Sequence, residues 1–392
     1  MPPLDGRRIW FVGIGGAGLS GYALLARAWG AEVGGWDRVP TPYSERLEGV
    51  PIELAPEPVV PKEWPEVVVS TAYRERASGK TRAEFLAEVV SLQRSIVVAG
   101  AHGKTTTAAM LAFCLDRLGD DPAFLIGGDV PQLGGNARAG GGWLVVEGDE
   151  SDRTILELRP EIAVVTNVDL DHHTEFASLA EVEELFRAWA AAAPRSVWGP
   201  TLELGDIELA VAGEHNRRNA TVAVAALEAA GVERSAAECV IREFRGAGRR
   251  LERRGEAGGV EVIDSYAHHP AELAADIAAV RNGGRVLVLF QPHLYSRTRY
   301  LAQEFGAVLA AADVVAVTDV YPAREEPLAG VSGKAIVDAA ADARPGLELA
   351  WTPAVEDGAR FLVRRARTGD RVLTLGAGDV DRAVPMIMAE LA

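Results

Sequence analysis

Short apolar runs alternate with helical stretches along most of this chain. Residues 8–14 predict a buried strand, which is followed by glycines, a helix over residues 17–29 and a second strand that ends at Asp37. Further strands are predicted at residues 67–70, 95–98, 143–147, 162–166, 260–263, 285–290, 313–317 and 371–375. Helices are predicted at residues 82–91, 104–118 and 216–230. Continuous apolar strands alternating with helices are typical of parallel sheets covered on both faces, so we expect an α/β protein.

Two breaks in this pattern divide the chain into three parts. A proline-rich connection over residues 51–65 precedes the first break and cannot form a central strand. The first break lies near Arg94, and the second is a glycine- and arginine-containing stretch at residues 244–250. A length of 392 residues allows two to three domains at about 150 residues each. We therefore predict three doubly wound domains, at residues 1–94, 95–244 and 245–392.

Composition narrows the class of protein. With 48% hydrophobic residues the chain can bury several cores, and with 56 acidic against 40 basic residues its formal net charge is −16. No segment gathers basic residues into a stripe, so we expect no nucleic-acid partner. Cys114 and Cys239 form no CxxC pair, and no uncharged run reaches the roughly 18 residues of a membrane span. These features predict a cytoplasmic location and no membrane partner.

The sequence GAHGKTTT at residues 100–107 lies between a predicted strand and a predicted helix. Its backbone N–H groups can surround phosphate oxygens, Lys104 can reach the β- and γ-phosphates, and the Thr105 hydroxyl can bind Mg²⁺. A strict GxxxxGKT pattern requires glycine where this chain has Val98. The alternative is an ordinary strand-to-helix turn. The phosphate-loop interpretation includes these residues: Gly100, His102, Gly103, Lys104, Thr105 and Thr106.

A second glycine motif, GIGGAG at residues 13–18, follows the first strand, and Asp37 ends the next strand about 20 residues later. This spacing is typical of dinucleotide sites. The same geometry binds any diphosphate at a helix N-terminus, and close packing of helix on strand also requires glycine. Gly15, Gly16, Gly18 and Asp37 are therefore candidate binding residues.

Acidic residues and histidines follow several of the predicted strands. EGDESD occupies residues 147–152 and NVDLDH occupies residues 167–172. Oxygen ligands suit Mg²⁺, so Thr105, Glu147 and His172 are the candidate metal ligands; a solvated acidic loop is the alternative. The seven histidines occur in five clusters beside other polar residues, which favours one composite site.

Taken together, these motifs resemble those of the Mur ligases of peptidoglycan synthesis over nearly the full chain. Further matching segments are GEHN at residues 213–216, GAGRR at 246–250, DSYAHHP at 264–270, FQPHLYSRT at 290–298 and DVYPARE at 319–325. The resemblance implies an N-terminal Rossmann-like domain for a UDP-sugar, a central P-loop ATPase-like domain and a C-terminal Rossmann-like domain for an amino acid.

The resemblance also implies residue roles. Lys104 and Thr105 would hold ATP and Mg²⁺, with Glu147 and His172 as metal ligands. Nucleotide contacts would come from Asn216, Asn219, Arg250 and Asp264. The amino-acid pocket would contain His268, His269, Arg297 and Tyr321. Gly15, Gly16, Gly18 and Asp37 would face the UDP moiety. The residues with a catalytic role would be Lys104, Glu147, His172, Arg250 and Asp264.

The implied activity is ATP-dependent ligation of L-alanine to the lactoyl carboxylate of UDP-N-acetylmuramate through an acyl phosphate, by a monomer or homodimer. A recycling ligase that adds a murein peptide to the same sugar nucleotide is the alternative within the family. An NAD-dependent oxidoreductase would explain GxGxxG and Asp37 but not the GKT and acidic motifs. A catalytically inactive UDP-sugar-binding regulator would not need Lys104, Glu147 and His172.

Several positions depart from the family pattern. Ala101 replaces a usual threonine, Ala267 a usual glycine and Leu294 an arginine. Residues 71–81 and 193–213 are shorter than the corresponding segments of the family. No lysine lies between Lys104 and Lys334, so the carbamylated lysine of some Mur ligases cannot form there.

Overall fold

Three sheets built mainly from parallel, buried strands form the framework of the protein. The computed structural model describes residues 2–150, 153–170, 176–281, 284–323 and 325–392. The predicted α/β fold with three sheets is confirmed.

The first sheet has the strand order β3-β2-β1-β4-β5, and all of its pairs are parallel. Its strands are β1 (Arg8–Val12), β2 (Glu32–Asp37), β3 (Ile52–Leu54), β4 (Glu66–Val69) and β5 (Lys80–Thr81). The central strand β1 is apolar and almost wholly buried, while β3 lies at the edge inside the proline-rich connection. The glycine motif of residues 13–18 therefore follows the central strand.

The second sheet has the order β11-β10-β6-β9-β7-β8. Its strands are β6 (Ser95–Ala99), β7 (Ala123–Val130), β8 (Gly135–Arg138), β9 (Leu144–Glu147), β10 (Ile162–Val165) and β11 (Arg195–Trp198). Only the pair β7 and β8 is antiparallel among these described strands. Strands β9, β6 and β10 are neighbours, so the segments that follow them meet at one edge of the sheet.

The third sheet has the order β12-β13-β17-β14-β15-β16. Its strands are β12 (Glu252–Ala257), β13 (Val260–Ser265), β14 (Val286–Phe290), β15 (Val314–Val317), β16 (Glu348–Trp351) and β17 (Arg371–Leu375). β12 pairs antiparallel with β13, and the other pairs are parallel. Two apolar clusters, one on each face, bury β14 and β17 completely except for Arg371 at the strand end.

The described residues of the chain form twelve α-helices. They are α1 (Ala17–Ala28), α2 (Pro42–Glu45), α3 (Arg82–Ser91), α4 (Lys104–Arg117), α5 (Leu179–Ala191), α6 (Glu214–Ala229), α7 (Arg234–Ile241), α8 (Pro270–Val280), α9 (Tyr295–Leu309), α10 (Gly333–Ala343), α11 (Val355–Val363) and α12 (Ala383–Leu391). Local signals explain several helix starts; Thr81, for example, caps α3 reciprocally with Glu84.

Most of the predicted strands and helices are present within one or two residues of their expected ends. The short strands β3, β5, β11 and β16 were not predicted, and neither were the β7–β8 hairpin and β12. β7 contains two consecutive glycines, Gly127 and Gly128, and β12 reads ERRGEA, so neither shows the apolar pattern of a buried strand. Pairing with a neighbouring strand, rather than local preference, makes these segments extended.

The contacts within the chain divide it into two compact units. One contains residues 1–210 and 217–247 with the first two sheets, and the other contains residues 211–216 and 248–392 with the third sheet. The three domain boundaries expected from the sequence remain predictions. None of the described helices is both long and apolar enough to cross a membrane.

Candidate active site

The phosphate loop joins the end of β6 to the first residue of α4. Gly103 directly precedes α4 in the left-handed region, with φ of 78°, and Gly100 has φ of 127°. A Cβ atom on Gly100 would collide with the Thr166 hydroxyl, and one on Gly103 would collide with the side-chain oxygen of Asn219. Both glycines are therefore required by backbone angle and by close approach.

The segment after β10 holds the middle of this loop. Asn167 accepts a hydrogen bond from the His102 backbone N–H at 2.9 Å and donates one to the His102 carbonyl at 2.8 Å. The Thr166 hydroxyl also donates to that carbonyl, at 2.6 Å, and the His102 ring lies 3.2 Å from the Asp169 carboxylate. The neighbouring strand thus fixes the loop in place before any ligand binds.

Lys104 begins α4, and its ammonium group lies between the loop and an acidic side chain. Its Nζ donates to the Gly100 carbonyl at 2.6 Å and lies 3.1 Å from each carboxylate oxygen of Glu150. Burial by itself lowers the pKa of Lys104, but the Glu150 and Asp149 carboxylates outweigh this effect and raise that pKa above its ordinary value. The lysine is therefore positively charged at neutral pH.

Thr105 is the next residue of α4 and contacts the end of β9. Its hydroxyl donates to the Glu147 carboxylate at 3.0 Å, and the other oxygen of Glu147 accepts from the Gly127 N–H at 2.5 Å. A hydroxyl and a carboxylate therefore lie together at the first turn of a helix, beside Lys104. These are oxygen ligands of the type that Mg²⁺ prefers.

In the first sheet, Asp37 shapes the glycine motif that precedes α1. One oxygen of its buried carboxylate accepts from the Gly15 N–H at 2.7 Å, and the other accepts from the Arg38 N–H at 2.7 Å. Thr41 donates to the Gly15 carbonyl at 2.7 Å. Gly16 is the N-cap residue of α1, so no side chain caps the backbone N–H groups at the start of this helix. Asp37 thus supports the loop, in addition to any contact that it makes with a nucleoside.

In the third sheet, Asp264 at the end of β13 is fully buried and pairs with Arg249. The Arg249 Nε lies 2.9 Å from one carboxylate oxygen, and the Thr374 hydroxyl donates to the other at 2.5 Å. Arg249 also donates to the carbonyls of Gly376 and Gly378, at 2.7 and 2.9 Å. Burial raises the pKa of Asp264 above its ordinary value, and Arg249 opposes that rise.

The paired histidines that follow β13 are oriented by Glu272 at the start of α8. Its carboxylate accepts from the backbone N–H groups of His268 and His269, at 2.9 and 3.2 Å. The His268 Nδ1 lies 2.9 Å from the Tyr266 carbonyl. Because a carbonyl only accepts, Nδ1 carries the proton, and Nε2 holds the lone pair when the ring is neutral.

Other residues of the predicted amino-acid pocket follow β14 and β15. The rings of His293 and Tyr321 are stacked, with centroids 5.9 Å apart, and the His268 ring lies 5.8 Å from the His293 ring. Arg297 is the third residue of α9, in its first turn, and is 8% exposed. Leu294, which precedes α9, has φ of 69° and ψ of 133°. A leucine rarely adopts this backbone conformation, so it is strained there.

The start of α6 contacts α8 within the second unit. His215 Nε2 lies 3.8 Å from an oxygen of Asp276, and the Ser265 hydroxyl donates to the other oxygen at 2.5 Å. Burial raises the pKa of Asp276 to about 7 and lowers that of His215. Asn216 donates to the Ala212 carbonyl at 2.6 Å.

Family models of three domains match this chain in consecutive segments. They are described as "Mur ligase family, catalytic domain" over residues 8–94, "Mur ligase middle domain" over residues 98–190 and "Mur ligase, glutamate ligase domain" over residues 249–378. The chain belongs to the Mur ligase family. The predicted resemblance is thereby confirmed.

Full-length relatives support the same assignment. UDP-N-acetylmuramate–L-alanine ligases of Streptomyces coelicolor and Pelotomaculum thermopropionicum are 38% and 35% identical to this Mur ligase; the alignments cover 97% and 95% of both chains. The first alignment spans 455 positions, more than the 392 residues of this chain, so the Streptomyces protein contains residues that this chain lacks.

Solved structures of the family have the same fold. The UDP-N-acetylmuramate–alanine ligase of Thermotoga maritima superposes with a TM-score of 0.78 at 26% identity, covering 97% of this chain and 98% of its own. A murein peptide ligase of Psychrobacter arcticus gives a TM-score of 0.66 at 23% identity, covering 98% and 99%. At 23% identity, the similarity to the murein peptide ligase shows a shared fold only.

The structure brings Lys104, Thr105 and Glu147 of this Mur ligase together. His172 lies outside the described residues, so its predicted metal contact has no structural description. Asn219 lies against the phosphate loop, whereas Asn216 belongs to the second unit. Thr106 is buried in the first turn of α4.

Two residues with prominent contacts were not among the predicted site residues. Arg249, rather than Arg250, pairs with Asp264, and the GAGRR sequence has no feature that distinguishes its two arginines. Glu150 contacts Lys104 from within the EGDESD segment. The sequence signal for Glu150 was its position in an acidic motif after a buried strand. Because that motif has four acidic residues in six positions, the sequence did not show which of them contacts Lys104.

Proposed function

We propose that this Mur ligase joins L-alanine to the lactoyl carboxylate of UDP-N-acetylmuramate with hydrolysis of ATP to ADP and phosphate. The observation that carries the proposal is the Lys104–Thr105–Glu147 cluster at the start of α4, in a chain 35–38% identical to ligases named for that reaction. The chain is thus an ATP-dependent, amide-bond-forming enzyme of peptidoglycan precursor synthesis.

The reaction requires activation of a carboxylate, because a carboxylate and an amine do not condense unaided in water. The lactoyl carboxylate attacks the γ-phosphorus of ATP, ADP leaves, and an acyl phosphate forms. The amine of L-alanine then attacks the acyl carbon, and phosphate leaves with the electron pair of the broken C–O bond. Lys104 is placed to stabilise the charge on the transferring phosphoryl group.

A magnesium ion fits the oxygen atoms present beside Lys104. The Thr105 hydroxyl and the Glu147 carboxylate would hold it, with His172 as a further proposed ligand, and the ion would neutralise negative charge on the phosphates. No lysine carbamate is needed in this arrangement, which agrees with the absence of lysine between Lys104 and Lys334.

The other proposed binding residues serve the UDP moiety, the nucleotide and the amino acid. Gly15, Gly16 and Gly18, with Asp37 behind them, would bind the UDP diphosphate at the start of α1. Asn216, Asn219, Arg250 and Asp264 would serve the nucleotide, with Asp264 acting through Arg249. His268, His269, Arg297 and Tyr321 would form the amino-acid pocket. With its lone pair on Nε2, neutral His268 could accept the amine proton.

The proposal includes a cytoplasmic location, where the sugar nucleotide and ATP are available and free Cys114 and Cys239 stay reduced. It includes domains at residues 1–94, 95–244 and 245–392. A monomer or a homodimer is compatible with the reaction.

Phosphate release tests the proposal. The enzyme is incubated with MgATP and UDP-N-acetylmuramate, and L-alanine, other amino acids and the tripeptide L-Ala-γ-D-Glu-meso-diaminopimelate are compared. L-alanine should give the highest kcat/KM. Preference for the tripeptide would establish the recycling activity instead, and turnover with neither would refute a ligase of UDP-N-acetylmuramate.

A matched pair of lysine variants links the activity to the phosphate loop. Lys104→Ala should reduce turnover by about 10²- to 10³-fold, the usual loss for one preorganised electrostatic group. Lys334→Ala is the control, because Lys334 is 56% exposed and pairs with Asp338 on the surface of α10.

A further inference from the structure

Glu150 is more deeply buried than the phosphate-loop lysine that it contacts. Its side chain is 2% exposed, whereas that of Lys104 is 21% exposed. The carboxylate is therefore shielded from solvent where it contacts the ammonium group.

The contacts of Lys104 leave its head group little freedom. The ammonium has three N–H donors. It donates to the Gly100 carbonyl at 2.6 Å, lies 3.3 Å from the Ala101 carbonyl, and lies 3.1 Å from both oxygens of Glu150. The two carbonyls belong to the phosphate loop itself. Glu150 belongs to the segment that follows β9, so its contact holds the lysine against a neighbouring strand.

The backbone around Glu150 is held by a local turn. The Arg153 N–H donates to the Glu150 carbonyl at 3.0 Å, and the Ile155 N–H donates to the Asp149 carbonyl at 3.1 Å. The Gly148 N–H donates to the Val98 carbonyl at 2.9 Å, which continues the pairing of β9 with β6. Glu150 is therefore fixed to the same strands that position the phosphate loop.

We propose that Glu150 is a positioning residue for phosphoryl transfer, which acts by holding the Lys104 ammonium in place. A lysine side chain has four rotatable bonds, and an ammonium group displaced by about 1 Å from a transferring phosphoryl group loses much of its effect. This inference rests on the proposed ATP site. It assigns to Glu150 a role distinct from that of Glu147, which contacts Thr105.

The test is a double-mutant cycle on Lys104 and Glu150, read out by single-turnover ADP formation with enzyme in excess over UDP-N-acetylmuramate. Glu150→Gln keeps the size of the side chain and removes its charge, and should slow ADP formation by about 10- to 100-fold. In the Lys104→Ala background, Glu150→Gln should cause no further loss, because the group that it positions is absent. Glu157→Gln, on an exposed side chain of the same segment, is the charge-matched control.

The KM values distinguish positioning of Lys104 by Glu150 from competition between Glu150 and phosphate, and from a general loss of folded enzyme. Positioning predicts a fall in kcat with KM values for L-alanine and UDP-N-acetylmuramate within about twofold of the wild type. A lower KM for ATP with unchanged kcat would mean that Glu150 competes with phosphate for Lys104, and would overturn the inference. An equal loss in the wild-type and Lys104→Ala backgrounds would overturn it as well.

Two further outcomes are distinguishable. If Lys104→Ala turns over like the wild type, the proposed ATP site is wrong, whatever Glu150 does. If Glu150→Gln does not fold, the variant that carries both substitutions is compared with Lys104→Ala alone. The double variant lacks the ammonium group as well as the carboxylate, so it contains no unpaired charge at this position. Equal rates then support the inference and a slower double variant contradicts it.

Discussion

The guanidinium of Arg249 and the carboxylate of Asp264 form an ion pair at 2.9 Å, and the Asp264 side chain has no solvent exposure. The same guanidinium binds the Gly376 and Gly378 carbonyls, so Arg249 connects the end of β13 with the loop after β17. A residue outside the predicted set thus organises the edge of the third sheet that carries the proposed amino-acid pocket.

Removing Arg249 should destabilise the protein far more than removing its neighbour. Arg249→Ala leaves a buried carboxylate without its partner and should cost about 3–5 kcal/mol in the free energy of unfolding. Arg250→Ala should cost about 1 kcal/mol, because Arg250 lies over the Tyr266 ring and acts on the buried Asp276 only through space, without the direct ion pair that Arg249 makes with Asp264. Calorimetric unfolding of both variants checks the difference, and equal losses would contradict the assignment of the buried pair to Arg249.

The phosphate loop should not tolerate a methyl group at Gly103. Gly103→Ala would force the new Cβ against the side chain of Asn219 and weaken ATP binding by more than about tenfold. Gly119→Ala is the control, since Gly119 has a similar φ of 85° but nothing within 4 Å of the added atom. Titration calorimetry with MgATP should show near-normal affinity for the control; normal affinity in Gly103→Ala would disprove the steric argument.

Stability should depend on pH through Asp276. Its pKa is about 7 in the folded protein, against about 4 in an unfolded chain, so between these values the folded state binds the additional proton. Stability therefore falls as pH rises from about 4 through 7, because the carboxylate must then be charged while buried among Ser265, His215, Glu272 and Arg250.

Asp276→Asn should remove this dependence. The variant should gain in unfolding temperature relative to the wild type at pH 8.5 but not at pH 5.5. Asp338→Asn serves as the control, because Asp338 is 58% exposed and should give the same difference at both pH values. A parallel pH dependence in wild type and Asp276→Asn would show that Asp276 is not the group responsible.

Arg297→Ala should affect the amino acid rather than the nucleotide. Arg297 is the arginine retained in the proposed pocket, and a guanidinium can fix a carboxylate through two parallel hydrogen bonds. The variant should raise the KM for L-alanine far more than the KM for ATP. Arg299→Ala, on the exposed side of α9, is the control. Unchanged KM values in Arg297→Ala would remove this residue from the pocket.

The preference among acceptors follows from the same pocket. In the wild type, glycine and L-serine should be slower acceptors than L-alanine, because one methyl group in a close-fitting pocket is worth about 1–3 kcal/mol. Steady-state phosphate release with each acceptor measures this preference. If L-serine or glycine gave the same kcat/KM as L-alanine, the pocket would not discriminate on the methyl group.

The amino-acid sequence by itself determined the framework and the chemistry of the phosphate loop. Its apolar runs predicted the three sheets, since a strand covered on both faces must be apolar throughout. GAHGKTTT predicted a loop at the start of a helix, where Gly103 does adopt a left-handed conformation. These features are local: the residues that create the signal are those that form the structure.

The tertiary structure alone decided which of several similar residues make the contacts. Arg249 and Arg250 are adjacent and chemically identical, yet only the position of each in the folded backbone places one beside Asp264. Glu150 contacts Lys104, 46 residues away, because β9 lies next to β6 in the second sheet. The polar strand β12 is extended because β13 pairs with it. Such contacts join residues distant in the chain, and the pairing of strands that creates them leaves no local pattern in the sequence.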